Sequence, residues 1–314
     1  MKTSPFLLLG LCLLFACTPQ ATTDSQPEET TYQPSFEALT LLGDSLFSAE
    51  SPSEGALKQF ETTKAAYEQQ PEDPMALIWY GRRAGYLGEY NDAITIFSEG
   101  VEKHPEDARM YRHRGHRYIS TRQYDKAIAD FEKAAELVEG KEDITEPDGL
   151  PNDRGIPISS LHGNIWYHLA LAHYLKHDWE AAEEAYKSRY ETHHNDDNIV
   201  SATHWYYMTL RRMERTEEAE ALLEPVHADL DIIENFVYLN TCLFYKGEMR
   251  EDELLATGGD EYPGDVNLYA LGNWYLYEKQ DTTAAKGYWQ RLIDEGSMAS
   301  FAYLAAEAEL AAMK

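Results

Sequence analysis

Two histidine groups are the residues of this chain whose spacing first suggests chemistry. His173 and His177 stand four apart, which on a helix brings both imidazoles to one face and makes a legitimate pair of metal ligands. His193-His194-Asn195-Asp196-Asp197 adds a second cluster of donors. A metal-dependent hydrolase would also need a third ligand and a general base. No His-Glu-x-x-His stretch supplies them, and the two groups fall at a helix end and in a polar linker. Nucleophile chemistry is equally thin, with no Gly-x-Ser-x-Gly elbow and no phosphate-cradling glycine loop. Glu217-Glu218 reads as solvating charge on an exposed helix face. Cys242, between Leu239 and Leu243, reads as a small buried apolar group. The expectation is a protein without a catalytic site, a metal or a cofactor.

The elements that would position these residues carry more information than the residues themselves. Gly81, Tyr90, Ala93 and Phe97 recur as Gly115, Tyr124, Ala127 and Phe131, an echo of 34 residues. Around the first set the chain reads Leu77-Ile78-Trp79-Tyr80-Gly81, then Tyr86-Leu87-Gly88-Glu89-Tyr90-Asn91-Asp92-Ala93, then Phe97 and Pro105. Small residues at 81 and 93 would let two helices approach, and the rings would fill the seams between pairs. This pattern resembles the tetratricopeptide repeat. The resemblance implies an all-α, right-handed superhelical solenoid of about seven antiparallel helix hairpins with a C-terminal capping helix.

The weaker repeats follow the same reading. Phe36, Leu39, Leu42 and Leu46 give a helical stripe for a degenerate first repeat, completed by a helix through Leu57, Phe60, Ala65 and Tyr67. Later units are marked by Trp166 to Tyr186, Trp205 to Leu223, Phe236 to Ala256, and Leu271 to Leu292. Met298 to Met313 is an Ala-rich amphipathic helix suited to cover the apolar end of the stack. Between Gly140 and Leu161 the period breaks in a run of turn formers (Asp148-Gly149, Pro151, Asn152-Asp153, Gly155, Pro157). This long loop, at about 140–161, is either a tolerated insertion or a flap over one edge of the solenoid.

Ahead of the repeats, residues 1–16 have a signal-peptide pattern, with Lys2 and an apolar run from Phe6 to Phe15. Leu14-Phe15-Ala16-Cys17 resembles a bacterial lipobox, which implies removal of 1–16 and acylation of Cys17. Thr18 in place of an Asp then favours the outer membrane where the cell has one. Residues 17–34 would form a lipidated cysteine and flexible tether, poor in apolar side chains. The solenoid would occupy 35–314. Taken together, the chain is similar to tetratricopeptide lipoproteins of bacterial envelopes.

Charge narrows the partners. Asp and Glu number 55 against 27 Lys and Arg, a net charge of -28. Such a chain repels phosphate backbones, and no basic stripe is present, so nucleic acid is not expected. In the repeat family the first helix of each hairpin lines the concave face. Register then points Arg82 and Tyr86, Arg109, Arg112 and His116, Tyr167 and Tyr174, His204, Arg211 and Arg212, Phe244 and Tyr245, and Tyr269, Asn273 and Tyr277 into the groove. Arginine forks and flat rings suit an acidic or C-terminal peptide. The expected function is therefore a non-enzymatic scaffold or adaptor on the envelope that holds a protein or peptide in the concave groove. A carbohydrate-binding lipoprotein using the same rings is the alternative, with a glycan as ligand. A metal-dependent hydrolase is the third.

Overall fold

The computed structural model describes residues 32–258 and 264–314. Residues 34–314 form one compact unit. Cys17 and the leader lie outside the described residues. Six helical hairpins follow one another: α2 (Pro74–Tyr86) with α3 (Tyr90–Lys103), α4 (Ala108–Ser120) with α5 (Tyr124–Val138), and α6 (Leu161–Leu175) with α7 (Trp179–Glu191). They continue as α8 (Asp196–Arg212) with α9 (Thr216–Leu223), α10 (Phe236–Tyr245) with α11 (Glu251–Ala256), and α12 (Asp265–Glu278) with α13 (Thr282–Glu295). A single helix α1 (Glu54–Gln69) precedes them and α14 (Phe301–Ala312) follows. This is an all-α solenoid.

Local chemistry explains the helix boundaries. Asp73, Asp107, Ser160, Asp178, Asn195, Asp281 and Ser300 each accept a first-turn backbone N–H, satisfying donors that the helix itself leaves free. The small positions of the repeat lie where a ring from the second helix crosses the first. A Cβ on Gly81 would meet Phe97 at 2.6 Å, and one on Gly115 would meet Phe131 at 3.0 Å. Each hairpin also turns on one left-handed residue: Gly88, Arg122, His177, Glu214, Gly247 and Gln280, with φ between 51° and 78°. Four of these six are not glycine, so those turns hold a conformation that costs a side-chain-bearing residue about 1–2 kcal/mol.

One element departs from the sequence reading. Phe36 to Leu46 is not a helix. Instead Phe36–Leu39 (β1) pairs antiparallel with Ser45–Phe47 (β2). The turn between them uses Gly43 at φ 103° and a hydrogen bond from the Asp44 N–H to Thr40 Oγ1. Apolar residues three and four apart over so short a run suit a strand as well as a helix, and the Gly43 turn decides between them. The hairpin docks on the start of α3, where the Glu37 carboxylate accepts the Asn91 N–H at 2.7 Å.

Successive first helices touch one another along the stack: α2 with α4, α4 with α6, α6 with α8, α8 with α10, and α10 with α12, while the second helices make no comparable contacts. The first helices therefore form the tighter, inner side. Here α14 does more than cover the end of the stack. It packs on α13 and also on α12 and α6, so it lies against the inner side itself.

Candidate functional site

Two acidic side chains fix α14 in that position. Glu307 is fully buried and pairs with Arg122 from the α4–α5 turn at 2.8 Å, and it also accepts the Leu41 N–H at 2.6 Å. Glu309 pairs with Arg212 from the end of α8 at 2.6 Å. The Tyr269 hydroxyl donates to it at 3.4 Å, and His177 stands 3.7 Å away. Buried charges of this kind are tolerated only when paired and hydrogen-bonded, and both carboxylates meet that requirement.

The position of α14 divides the expected groove residues into two sets. Tyr174 hydrogen-bonds Tyr269 at 2.8 Å, and both are buried beneath the helix. His204 is buried, hydrogen-bonded through Nδ1 to Thr241 and stacked on Tyr245 at 5.9 Å. Asn273 is buried against Met208, and Phe244 is buried as well. Arg211 pairs with Glu278 and lies by Tyr277 at 5.6 Å. Their outward placement is thus corrected: contacts among α8, α10 and α12, joined at Tyr269 and Arg212 by Glu309 of α14, turn a predicted surface into core. Arg109 also leaves the groove, because its guanidinium folds back on the cap residue Asp107 at 2.5 Å.

The other set converges. Arg82, Arg112, His116 and Tyr167 line one cavity of about 310 Å³. Tyr86 stands beside it, its hydroxyl accepting from Arg82 at 3.1 Å. Phe301, the first residue of α14, closes one end, with its ring 5.5 Å from both His116 and His168. From the opposite side Asp197 accepts the N–H groups of Ile233, Glu234 and Asn235 at 2.9, 2.8 and 2.7 Å. That fold of the chain carries Glu234 and Asn235 to the cavity wall.

The long loop forms the roof. Its base is a short antiparallel pairing, with Glu146 N–H to Ser159 O at 3.0 Å and Leu161 N–H to Ile144 O at 2.9 Å. From there it crosses the first helices as a strap. Arg112 pairs with Glu146 at 2.7 Å, Arg82 donates to Pro147 O at 2.8 Å, and Arg83 donates to Gly149 O at 3.2 Å. At the far side Asn152 donates to Glu234 at 2.6 Å, Arg154 pairs with Asp231 at 2.8 Å, and Asn195 and Asn198 both donate to Ile158 O. The approach is so close that a Cβ on Gly149 would overlap the Tyr86 hydroxyl.

Burial sets the electrostatics. It holds the His168 imidazole down at about 3, with nearby Arg112 adding to the effect, and it also pushes His116 and His113 well below their ordinary value. The ring wall is therefore neutral at physiological pH. Burial also lowers the Arg189 guanidinium, to about 10, which leaves it charged. Arg189 was not among the expected groove residues because it belongs to a second helix. Its signal was present: it continues the buried stripe of Ala182, Ala185 and Tyr186 on α7, where a charged residue has no packing reason to be.

The histidines that suggested metal chemistry do not meet. His173 faces Asp178 at 3.4 Å and His194 faces Asp143 at 3.0 Å. His177 stacks on Trp179, and His193 bonds the carbonyl of Tyr190. Among the described residues no group of three or more His, Cys, Asp or Glu is placed to hold a metal ion.

Hairpins stacked through their first helices define a helical-repeat solenoid. Residues 80–142 match the tetratricopeptide repeat family. Among solved structures it is similar to YrrB, described as a TPR protein with an unusual peptide-binding site, at 18% identity over 80% of this chain and 99% of that one, TM-score 0.43. It is also similar to a tetratricopeptide repeat protein from Parabacteroides merdae, at 14% identity over 81% and 92% of the two chains, TM-score 0.49. No curated protein matches the sequence.

Proposed function

We propose that this chain is a non-catalytic scaffold, held at the bacterial envelope by acyl chains on Cys17, whose first-helix face docks an extended acidic segment of a partner protein. Repeat stacks of this kind present a surface rather than a reaction centre. One observation carries the reading. The chain's own segment Glu146-Pro147-Asp148-Gly149 already lies across α2 and α4, held by Arg112 on its carboxylate and by Arg82 and Arg83 on its backbone carbonyls. A partner segment with the same chemistry would use the same three arginines, whose planar forks suit carboxylate and carbonyl oxygens. The neutral rings of His116 and Tyr167 supply flat contact area beside them.

The test uses the compact unit 34–314, immobilised and exposed to detergent-solubilised envelope from its own host. A protein retained by the wild type and lost by an Arg82→Glu, Arg112→Glu double variant supports the proposal. Equal retention by the two overturns this face as the docking site. For the anchor, a radiolabelled fatty acid should enter the full chain and be absent from a Cys17→Ala variant. Label in both would remove lipidation at Cys17 from the proposal.

A further inference from the structure

The charges around the cavity do not all have partners. Three arginines (Arg82, Arg112, Arg189) and three acids (Glu146, Asp148, Glu234) line it. Arg112 and Glu146 satisfy each other at 2.7 Å. Arg82 is held by Pro147 O and the Tyr86 hydroxyl, and Glu234 accepts from Asn152. Arg189 and Asp148 remain. Arg189 is 5% exposed, and its Nε and Nη1 are buried without a hydrogen bond. The nearest acid on its side, Asp143, is already engaged by the His162 N–H at 2.9 Å and by His194 at 3.0 Å. Asp148 Oδ2 is likewise buried and without a hydrogen bond.

A buried guanidinium with two nitrogens left without hydrogen bonds is costly, and on a cavity wall it suits an oxyanion. Asp148, on the roof of the same cavity, feels the charge of Arg82 but makes no hydrogen bond through Oδ2, which suits that oxygen to a cationic N–H donor. The rings of His116, Tyr167, His168, Tyr238 and Phe301 line the same cavity. At about 310 Å³ the cavity is at the small end of ligand pockets, which run roughly 300–1,000 Å³.

We propose that the cavity binds an aromatic zwitterion of amino-acid to dipeptide size, its carboxylate on Arg189 and its ammonium group towards Asp148 and Glu234. Its rings would stack against the cavity's ring wall in place of water. The site requires the strap in place, because Asp148 belongs to the strap. It is therefore distinct from partner docking, because a partner taking the same arginines would displace the strap and with it Asp148.

Four probes with one phenyl ring separate the contributions: phenylalanine, the dipeptide Gly-Phe, 3-phenylpropionate (no ammonium) and phenethylamine (no carboxylate). Calorimetric titration of the full chain at fixed ionic strength should show phenylalanine or Gly-Phe binding at least ten-fold tighter than 3-phenylpropionate, with phenethylamine weakest. The tighter of the first two identifies the free amino acid or the dipeptide as the source. Arg189→Gln should weaken that binding at least ten-fold. Without ligand its Tm should be no lower than that of wild type, because an unpaired buried charge is gone. Asp148→Asn, on the strap and outside the core, should bring the preferred probe down to the level of 3-phenylpropionate. Three results would each overturn the proposal: no binding by phenylalanine or Gly-Phe, equal binding of all four probes, or wild-type affinity in both variants.

Discussion

The inner side of this solenoid is occupied twice by its own chain, and the two occupants are held differently. The half formed by α6, α8 and α12 is covered by α14, whose Glu307 and Glu309 are fully buried on Arg122 and Arg212. The half formed by α2, α4 and α6 is crossed by the strap, whose Glu146 meets Arg112 at a site still adjoining a cavity. One is a helix with a full backbone ladder. The other is an irregular segment with few backbone bonds, and its tip shows Leu150 and Ile156 to solvent. The same carboxylate–arginine chemistry thus holds a helix in one half and an irregular segment in the other. What differs is whether the segment around the acid is itself helical.

Breaking the α14 side should have the largest effect. Glu307→Ala leaves Arg122 buried without its partner and should cost about 3–5 kcal/mol of global stability by urea denaturation. A loss below 1 kcal/mol would show that α14 is not integral to the stack. Acid should act on both halves. His113, His168 and His204 are buried and held neutral in the folded chain, each well below its ordinary value. The unfolded chain takes up protons first, so the stability they contribute is complete above about pH 6.5 and is lost as the pH falls below it. Each should cost about 1 kcal/mol between pH 7.5 and 5.5. His204→Gln and His168→Gln should each flatten the measured slope, and an unchanged slope in both would refute the assignment.

Glu146→Gln sharpens the contrast. It should cost about 1–2 kcal/mol, yet it should raise proteolytic cleavage between 147 and 158 without raising cleavage in α14. Smallest is Glu214→Gly in an exposed turn outside both halves. Relief of the left-handed conformation should raise stability by about 0.5–1 kcal/mol.

Legibility in the sequence followed the same division. The hairpins from 74 to 139 were readable because glycine and ring are coupled: Gly81 with Phe97 and Gly115 with Phe131 must appear together or the helices clash. The later turns were harder to read because Arg122, His177, Glu214 and Gln280 hold the left-handed position without glycine. Residues 36–47 misled because a stripe over one short segment does not fix its period. Arg82, Arg112 and His116 could be placed from register alone, whereas Arg109 could not, because it folds back on its own cap residue. The groove residues from 174 to 277 could not, since their burial depends on partners in other repeats and, for Tyr269 and Arg212, on Glu309 from the far end of the chain. Only the two acids within an otherwise Ala-rich α14 and the arginine on the buried stripe of α7 hinted at contacts beyond their own repeat.

Native-state hydrogen exchange followed by mass spectrometry tests the central claim most directly, because it reads the opening free energy of each segment separately. Amides of α14 should exchange only through global unfolding. Those of Glu146, Ile156 and Leu161 in the strap should exchange through a smaller opening, at a free energy several kcal/mol lower and lowered further by Glu146→Gln. Exchange of α14 as easily as the strap, or of the strap only with the whole molecule, would contradict that difference between the helix and the strap.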